Sequence, residues 1–215
     1  MFSITLSAQG FCRKTHALPA LIRFPVTPNM PPPIPSQDIQ LEITLASGIK
    51  VPRALLRDLL NAAQTTELFL PKSRRFPASA NLLITDNAAV KRLNRDFRGI
   101  DKPTNVLSFP QLTPRQIARL KPDRRIIELG DIAIAYQYVV VEAKKDNKIL
   151  KNHIVHLVIH GLLHLFGYDH IIDRDALHME RLETRIMAAL DLPDPYAASD
   201  GKKEPKRAGA SVKKR

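Results

Sequence analysis

The 215-residue chain has a single cysteine, Cys12, and no tryptophan. One cysteine excludes an intramolecular disulfide framework and any cysteine-based zinc cluster within one chain. A metal site would therefore have to use histidine, aspartate or glutamate. Long apolar runs are also missing, because charges or prolines interrupt them well before the ~18 consecutive apolar residues that a membrane span needs. The sequence thus predicts a soluble protein with no membrane partner.

Acidic residues are absent from residues 1–37 and scarce in residues 196–215, so much of the net charge of +12 lies at the two ends. Residues 1–37 hold three basic and no acidic residues, residues 38–195 hold 23 and 19, and residues 196–215 hold seven and two. Basic tails attract polyanions, which makes RNA, DNA or an anionic surface the implied partner class. The alternative is that the tails only keep the protein soluble.

Proline is concentrated at the start of the chain, where seven of the 17 prolines precede Ser36. Because proline lacks a backbone donor and resists helix and sheet interiors, residues 1–37 are predicted to form an extended or disordered N-terminal extension. An organelle transit peptide or an upstream start codon would explain the same segment. The predicted organisation is this extension, a folded domain at 38–195 and a basic, disordered tail at 196–215.

From residue 38 onward, the hydrophobic pattern becomes that of a folded domain. Ile39–Leu45 alternates apolar and polar residues, which is typical of a half-buried strand. Asp86 is a typical N-cap for a helix that runs through Phe97. Further strands are predicted at 81–85, 105–109 and 131–135, and further helices at 51–66, 137–145, 152–166 and 173–190. Strands and helices intermingle without a regular βαβ order, so we predict an α+β fold, a single domain whose small mixed β-sheet packs against several helices.

The most informative stretch is HGLLHLFGYDH, residues 160–170. Residues four apart lie on one face of a helix with Cβ atoms ~5–6 Å apart, so His160 and His164 can point at one ion. Gly167 can end the helix in the left-handed conformation, and His170 can then supply a third nitrogen. Three imidazoles with an open fourth position are typical of a catalytic rather than a structural zinc site. The spacing predicts a metal site on a helix and the turn after it.

Histidines on an apolar helix can also be ordinary hydrogen-bonded core residues. Three of them at this spacing, around a helix-stopping glycine, are hard to explain by packing, because each buried imidazole needs a partner. His156 lies one turn before His160 and is either a further ligand or, as we favour, a support for a ligand or a core hydrogen bond. His153 and His178 are predicted to be structural or solvent-facing.

The same spacing matches the zinc-protease pattern HExxHxxGxxH except at its second position, where this chain has Gly161. In those proteases the glutamate is the general base. Its absence argues against peptide hydrolysis. A Lewis-acid metal remains, able to lower the pKa of bound water toward ~7 and to polarise a carbonyl or phosphoryl oxygen.

Three blocks of the sequence resemble the YbeY endoribonucleases, also called ribosomal RNA maturation factors. They are LNRDFRGIDKPTNVLSFP at 93–110, LGDIAIA at 129–135 and HLVIHGLLHLFGYDH at 156–170. An acidic helix ending in Asp194-Pro195-Tyr196 follows them, as it does in the family. The resemblance extends over about 38–196 and implies a zinc-dependent, single-strand-specific endoribonuclease that processes ribosomal RNA.

Carried over to this chain, the resemblance implies that three histidines bind one Zn²⁺ per chain: His160, His164 and His170. It makes Arg98, together with His160, the catalytic pair. A guanidinium suits this role because its rigid fork of donors can hold phosphate oxygens and stabilise charge that grows in the transition state.

Two polar positions near these residues have open roles. The family usually has Asp where this chain has Asn105, and asparagine can still hydrogen-bond but cannot serve as a base or a negative partner. Asp131 either lines the same cleft as Arg98 or caps a turn or strand end. The sequence favours neither alternative for Asp131.

The sequence is therefore interpreted as that of a cytoplasmic, metal-dependent endoribonuclease, a hydrolase of RNA phosphodiester bonds. The resemblance implies a precursor ribosomal RNA as substrate, in maturation of the 16S rRNA 3′ end, and a role in ribosome quality control. Ribosomal particles are the implied partners, and a small-subunit ribosomal protein or an assembly GTPase are candidate contacts. Two alternatives remain: a metallohydrolase of small esters or amides, and a non-catalytic ribosome-assembly factor.

Overall fold

The computed structural model of the protein describes residues 39–120, 125–170 and 172–197. The predicted extension at 1–37 and most of the predicted tail at 196–215 lie outside these residues and stay predictions. The described elements are, in chain order, β1 (Ile39–Leu45), α1 (Arg53–Phe69), β2 (Ala78–Thr85), α2 (Asn87–Arg98), β3 (Val106–Pro110), α3 (Pro114–Ile117), β4 (Ile127–Ala135), α4 (Tyr136–Lys145), α5 (Leu150–Leu165) and α6 (Asp173–Ala189).

The four strands form one mixed sheet with the order β1-β2-β4-β3. Strands β1, β2 and β4 run parallel, and β3 pairs antiparallel with β4 at the outer edge. The central strands β2 and β4 supply many of the fully buried side chains, among them Leu82 and Ile132. The predicted α+β fold with a small mixed sheet is confirmed.

Alternating side chains of β3 distinguish the two faces of the sheet. Val106 belongs to the main core, which also contains residues of α1, α5 and α6, whereas Leu107 packs against Val90 of α2. Successive residues of a strand point to opposite sides, so Ser108 shares the face of Val106 and Phe109 shares the face of Leu107. Helices α1 and α5 therefore cover one face of the sheet, and α2 lies on the other.

Helix α5 is buried over most of its length, which explains its almost continuous apolar sequence. It packs against α1 and against strands β3 and β4. The helix lies close to the sheet at Gly161, where an added Cβ atom would lie 2.9 Å from Cδ1 and 3.1 Å from Cγ2 of Ile132. Neither α5 nor any other described helix is both long and apolar enough to cross a membrane.

The turn after α5 is built around Gly167, as the sequence predicts. Gly167 has a φ of 80°, in the left-handed region that glycine adopts readily. The amide of Tyr168 donates to the carbonyl oxygen of Leu163 at 3.0 Å, which closes the end of the helix. The chain then reverses direction and carries His170 back toward α5.

Side-chain caps mark the N-terminal ends of two other helices, α2 and α3. Asp86 is confirmed as an N-cap, because its Oδ1 accepts a hydrogen bond from the amide of Ala89 at 2.7 Å. Helix α3 was not predicted, although Thr113 and Gln116 form a capping box at its start. Four residues are too few for a helical hydrophobic period to be visible in the sequence.

Replacing Gly161 by alanine is expected to destabilise the protein, because the new methyl group would overlap Ile132. Overpacking a core costs ~1–3 kcal/mol, which outweighs the ~1 kcal/mol that alanine gains over glycine within a helix. Urea unfolding in the presence of a chelator measures the net change. Ile132→Val removes Cδ1, the nearest atom, so the double variant should recover much of the loss. An undiminished loss in the double variant would show that this overlap is not the cause.

Candidate metal centre

The three histidines predicted to bind a metal meet at the C-terminal end of α5. His160 and His164 lie one turn apart on the helix, and His170 follows the turn at Gly167. Their ring centroids are separated by 4.6 Å for His160–His164, 5.0 Å for His164–His170 and 5.5 Å for His160–His170. One nitrogen of each ring lies within 4.8 Å of the other two. The structure thus brings the three predicted ligands together.

Hydrogen bonds at the outer nitrogens of two rings determine where their protons lie. Nδ1 of His164 is 3.0 Å from the backbone oxygen of Tyr168, which can only accept, so this nitrogen donates. Nδ1 of His160 is 2.7 Å from Oε1 of Glu183 and donates to that carboxylate. In a neutral imidazole the other nitrogen then carries a lone pair. Both rings therefore present the lone pair of Nε2 to the cluster.

These two Nε2 atoms face each other at only 3.0 Å. Two lone pairs at that distance repel each other unless a proton or a cation lies close to both. Burial lowers the pKa of His164 to about 3, which disfavours the protonated ring of His164 at neutral pH. A metal ion shared by His160, His164 and His170 would remove the repulsion. The residues present therefore fit a zinc-class ion.

Access to the cluster is one-sided. His164 is fully buried and His160 is 8% exposed, whereas His170 is only partly buried. Three protein nitrogens leave a coordination position for water or a substrate atom. Solvent reaches the cluster most easily from the side of His170.

The residue between the two helix histidines, Gly161, cannot supply a general base. Zinc proteases carry a glutamate at this position. Here the position faces Ile132 of the sheet so closely that a methyl group would overlap that side chain. A side chain at this position would have to displace Ile132 of β4.

A buried carboxylate that the sequence analysis did not identify, Glu183 of α6, supports the cluster. Its two oxygens lie 2.7 Å from Nδ1 of His160 and 2.7 Å from Nε2 of His156. Burial raises the pKa of Glu183, but hydrogen bonds from both histidines outweigh burial and hold the pKa below its usual range. His156 therefore faces Glu183 and supports the cluster instead of joining it.

A sequence signal for Glu183 did exist. Helix α6 is amphipathic, and its buried face contains Met179, Leu182, Glu183, Ile186 and Met187. A charged residue on the apolar face of a helix needs a partner, so the position could have been singled out. The partner could not have been identified, because His160 is 23 residues away and only the packing of α6 on α5 brings the two together.

Asn105 precedes β3 and joins it to α4. Its Nδ2 donates to both carboxylate oxygens of Glu142 at 3.1 and 3.3 Å, and its Oδ1 accepts from the amide of Val106 at 2.7 Å. Nε2 of His153 also bonds Glu142, at 2.7 Å. Burial raises the pKa of Glu142, but the hydrogen bonds from His153 and Asn105 lower it by more. His153 is thus structural and His178 is exposed, in agreement with the sequence prediction.

Arg98 is the last residue of α2, and that helix lies on the opposite face of the sheet from the histidines. Its Nη1 donates to Oδ1 of Asn94 at 3.3 Å. Within the part of the chain that the structure describes, no hydrogen bond or ion pair joins Arg98 to His160 or His170. The predicted catalytic pair is therefore not in direct contact.

The helices that carry Arg98 and His160 nevertheless pack against neighbouring parts of the sheet. The ring of Phe97 packs edge-on against that of Phe109 in β3, with centroids 5.2 Å apart. The preceding residue of β3, Ser108, pairs with Ile132, on which Gly161 rests. Phe97, the neighbour of Arg98, thus contacts Phe109 of β3 from one face of the sheet. Gly161, the neighbour of His160, contacts the strand partner of Ser108 from the other face.

Asp131 does not line the histidine cleft. Ile132 faces α5, so the preceding residue points to the other face of the sheet. There Oδ1 of Asp131 accepts a hydrogen bond from Nδ2 of Asn81 at 2.8 Å, between the paired strands β2 and β4. Asp131 therefore lies on the face of the sheet away from the histidines, where its partner is Asn81.

Replacing Asn105 by aspartate is expected to destabilise the protein more at pH 7 than near pH 4.5. The new carboxylate would face Glu142, and two such groups share a proton, so their joint pKa in the folded state rises. A raised folded-state pKa gives stability at low pH that is lost as pH increases. Urea unfolding at both pH values measures the effect.

The matched control is the double variant Asn105→Asp with Glu142→Gln. Its amide can donate to the new carboxylate, so the pH dependence introduced by Asn105→Asp should largely disappear. If Asn105→Asp alone is as stable as the parent protein at both pH values, the hydrogen bonds between Asn105 and Glu142 contribute little.

Comparison with known proteins identifies the family. The family model described as Endoribonuclease YbeY matches residues 45–191. Endoribonuclease YbeY of Bradyrhizobium diazoefficiens is 50% identical over 124 residues, which cover 58% of this chain and 67% of that protein. Endoribonuclease YbeY of Sinorhizobium medicae is 47% identical over 135 residues, which cover 60% of this chain and 76% of that protein.

Among solved structures, the solution structure of TM1509 from Thermotoga maritima is similar to this chain. It shows 23% identity and a TM-score of 0.47, and the match covers 73% of this chain and 99% of that one. The family model alone covers well over half of the present sequence. The chain therefore belongs to the YbeY endoribonuclease family.

Proposed function

We propose that this protein is an endoribonuclease that hydrolyses RNA phosphodiester bonds and uses one metal ion per chain. The observation that carries the proposal is the convergence of His160, His164 and His170, with the lone pairs of two Nε2 atoms facing each other at 3.0 Å. Family membership supports it, since the similar proteins are named endoribonucleases.

Zn²⁺ is the proposed ion because three imidazoles with an open position suit it. When bound, it would supply a Lewis acid for chemistry at a phosphoryl oxygen. The chain's own residues orient the ligands: Glu183 holds the ring of His160, and the backbone oxygen of Tyr168 holds that of His164. Burial keeps these hydrogen bonds away from competing water.

Arg98 is the proposed phosphate-binding residue. A guanidinium has five N–H donors, of which one is engaged by Asn94 of the same helix. An RNA strand that crosses the edge of β3 would meet Arg98 on one side and the histidine cluster on the other. Arg98 would then hold a phosphate group in place and stabilise charge that develops on it during hydrolysis.

The proposed substrate is single-stranded precursor ribosomal RNA, including the 3′ end of 16S rRNA, with a further role in ribosome quality control in the cytoplasm. The net charge of +12 and the seven basic residues at 196–215 suit a polyanionic substrate. Ribosomal particles are the proposed partners, with a small-subunit ribosomal protein or an assembly GTPase as contact. These finer proposals rest on the sequence resemblance.

His160→Ala is expected to lose most of the bound metal, because two imidazoles hold zinc far more weakly than three. Metal content per chain, measured by mass spectrometry after dialysis against metal-free buffer, checks this. The matched control is His178→Ala, which removes an exposed imidazole from α6. Equal metal content in the parent protein and in single alanine variants of all three ligands would rule out the site.

Arg98→Ala is expected to keep its metal and its melting temperature but to cleave precursor rRNA ~100–1000-fold more slowly, the usual cost of losing a donor aimed at transition-state charge. Partly exposed substitutions change stability by less than ~0.5 kcal/mol in most cases. Arg92→Ala, an exposed arginine on the same helix, controls for the loss of one positive charge. Arg98→Lys keeps the charge without the fork, so it should recover only part of the rate.

The same assay separates the alternatives. If Arg98→Ala cleaves precursor rRNA at the parent rate, the phosphate role is wrong. If the metal-free protein and Arg98→Ala still bind ribosomal particles and support assembly while no RNA is cut, the protein is a non-catalytic assembly factor. Hydrolysis of small esters without RNA cleavage would instead favour a small-molecule metallohydrolase.

A further inference from the structure

Glu183 is the meeting point of three separate parts of the chain. Its carboxylate lies 2.7 Å from Nδ1 of His160 and 2.7 Å from Nε2 of His156, both on α5. The hydroxyl of Tyr196, which follows α6, donates a third hydrogen bond to Oε2. The side chain of Glu183 is fully buried, so these three donors take the place of water around its negative charge.

The hydrogen bond to Glu183 determines how His160 faces the cluster. Because Nδ1 donates to the carboxylate, the proton is fixed on that nitrogen and the lone pair is fixed on Nε2. The bond also restricts rotation of the ring about its χ2 angle. Nε2 is held 3.0 Å from Nε2 of His164, with its lone pair available to an ion.

Hydrogen bonds of Asp194 hold the segment that contains Tyr196 in place after the end of α6. Oδ1 of Asp194 accepts hydrogen bonds from Oγ1 of Thr184 at 3.1 Å and from the amide of Tyr196 at 2.9 Å. These bonds fold the chain back along α6. The ring of Tyr196 then packs edge-on against His156, with centroids 5.5 Å apart at 83°.

We propose that Glu183 and Tyr196 are positioning residues of the metal centre. Glu183 holds His160 in the orientation that binds the ion, and Tyr196 acts through Glu183 by holding its carboxylate. The segment at 190–196 thereby helps to orient a ligand of the metal site although it contributes no ligand itself. This inference rests on the proposed metal-dependent function.

The competing explanation is that the four side chains form a polar network that stabilises the fold and nothing more. The two explanations differ in what a conservative change would alter. A purely structural network would affect the unfolding of the metal-free protein and leave metal affinity unchanged. A positioning role would weaken metal binding and change the geometry around the ion.

The test uses the full chain and measures the dissociation constant for Zn²⁺ by competition with a chelator. The absorption spectrum with Co²⁺ in place of Zn²⁺ reports on geometry at the ion. Glu183→Gln removes the charge, and Tyr196→Phe removes only the hydroxyl and keeps the ring. The matched control is Tyr138→Phe, which removes the hydroxyl of an exposed tyrosine on α4.

Glu183→Gln should bind Zn²⁺ roughly 10–100-fold more weakly, the usual loss when the partner of a ligating histidine is changed. Tyr196→Phe should show a smaller loss in the same direction, with an altered Co²⁺ spectrum, while Tyr138→Phe matches the parent protein. Adding Tyr196→Phe to Glu183→Gln should cost little further affinity, because residues that act through one another are not additive.

Parent-like zinc affinity and cobalt spectra in both single variants would overturn the inference and leave the metal site itself standing. Fully additive losses would show that Tyr196 does not act through Glu183. Should Glu183→Gln fail to fold, Tyr196→Phe alone decides the matter by its affinity and spectrum. A parent protein that binds neither Zn²⁺ nor Co²⁺ would refute the proposed function, a result distinct from those above.

Discussion

Helix α5 carries four imidazoles into the interior of the protein, and each of them must find a partner there. An unpaired polar group in the core costs several kcal/mol, on the order of 2–7 depending on the reference state. The partners come from three different elements: Glu142 of α4, Glu183 of α6 and the backbone oxygen of Tyr168 after α5. The positions of α4, α6 and the turn at Gly167 are thus tied to the histidines of α5. The arrangement that satisfies these rings also brings Nε2 of His160 to 3.0 Å from Nε2 of His164.

What could be predicted from the sequence depended on how local the information was. The helical spacing of His160 and His164, and the turn at Gly167, are encoded within eleven residues, and the structure reproduces both. Glu183 lies on another helix, and only tertiary packing reveals its partners. Asp131 shows a second limit of prediction from sequence. Alternation along a strand fixes which residues share a face, but it does not say which face looks toward α5. That assignment needed the contact between Gly161 and Ile132.

The two candidate functional groups belong to different layers of the fold. The histidines lie on α5 on one face of the sheet, and Arg98 ends α2 on the other. Strand β3 separates them, so the distance between the groups is determined by how each helix packs on that strand. Phe97 of α2 contacts Phe109 of β3, and Gly161 of α5 contacts Ile132 of the neighbouring strand β4. The resemblance pairs Arg98 with His160, whereas in the structure the helices that carry them lie on opposite faces of the sheet.

The order of these residues along the chain has a consequence for synthesis. A ribosome releases His160, His164 and His170 before Glu183, and Glu183 before Tyr196. Until α6 has left the ribosome, the ring of His160 lacks the carboxylate that orients it, and the three nitrogens are not held toward one point. The turn at Asp194 closes the assembly last. A nascent chain can therefore complete the histidine cluster and its supporting hydrogen bonds only after Tyr196 has been synthesised. By then the domain that surrounds the site is already synthesised.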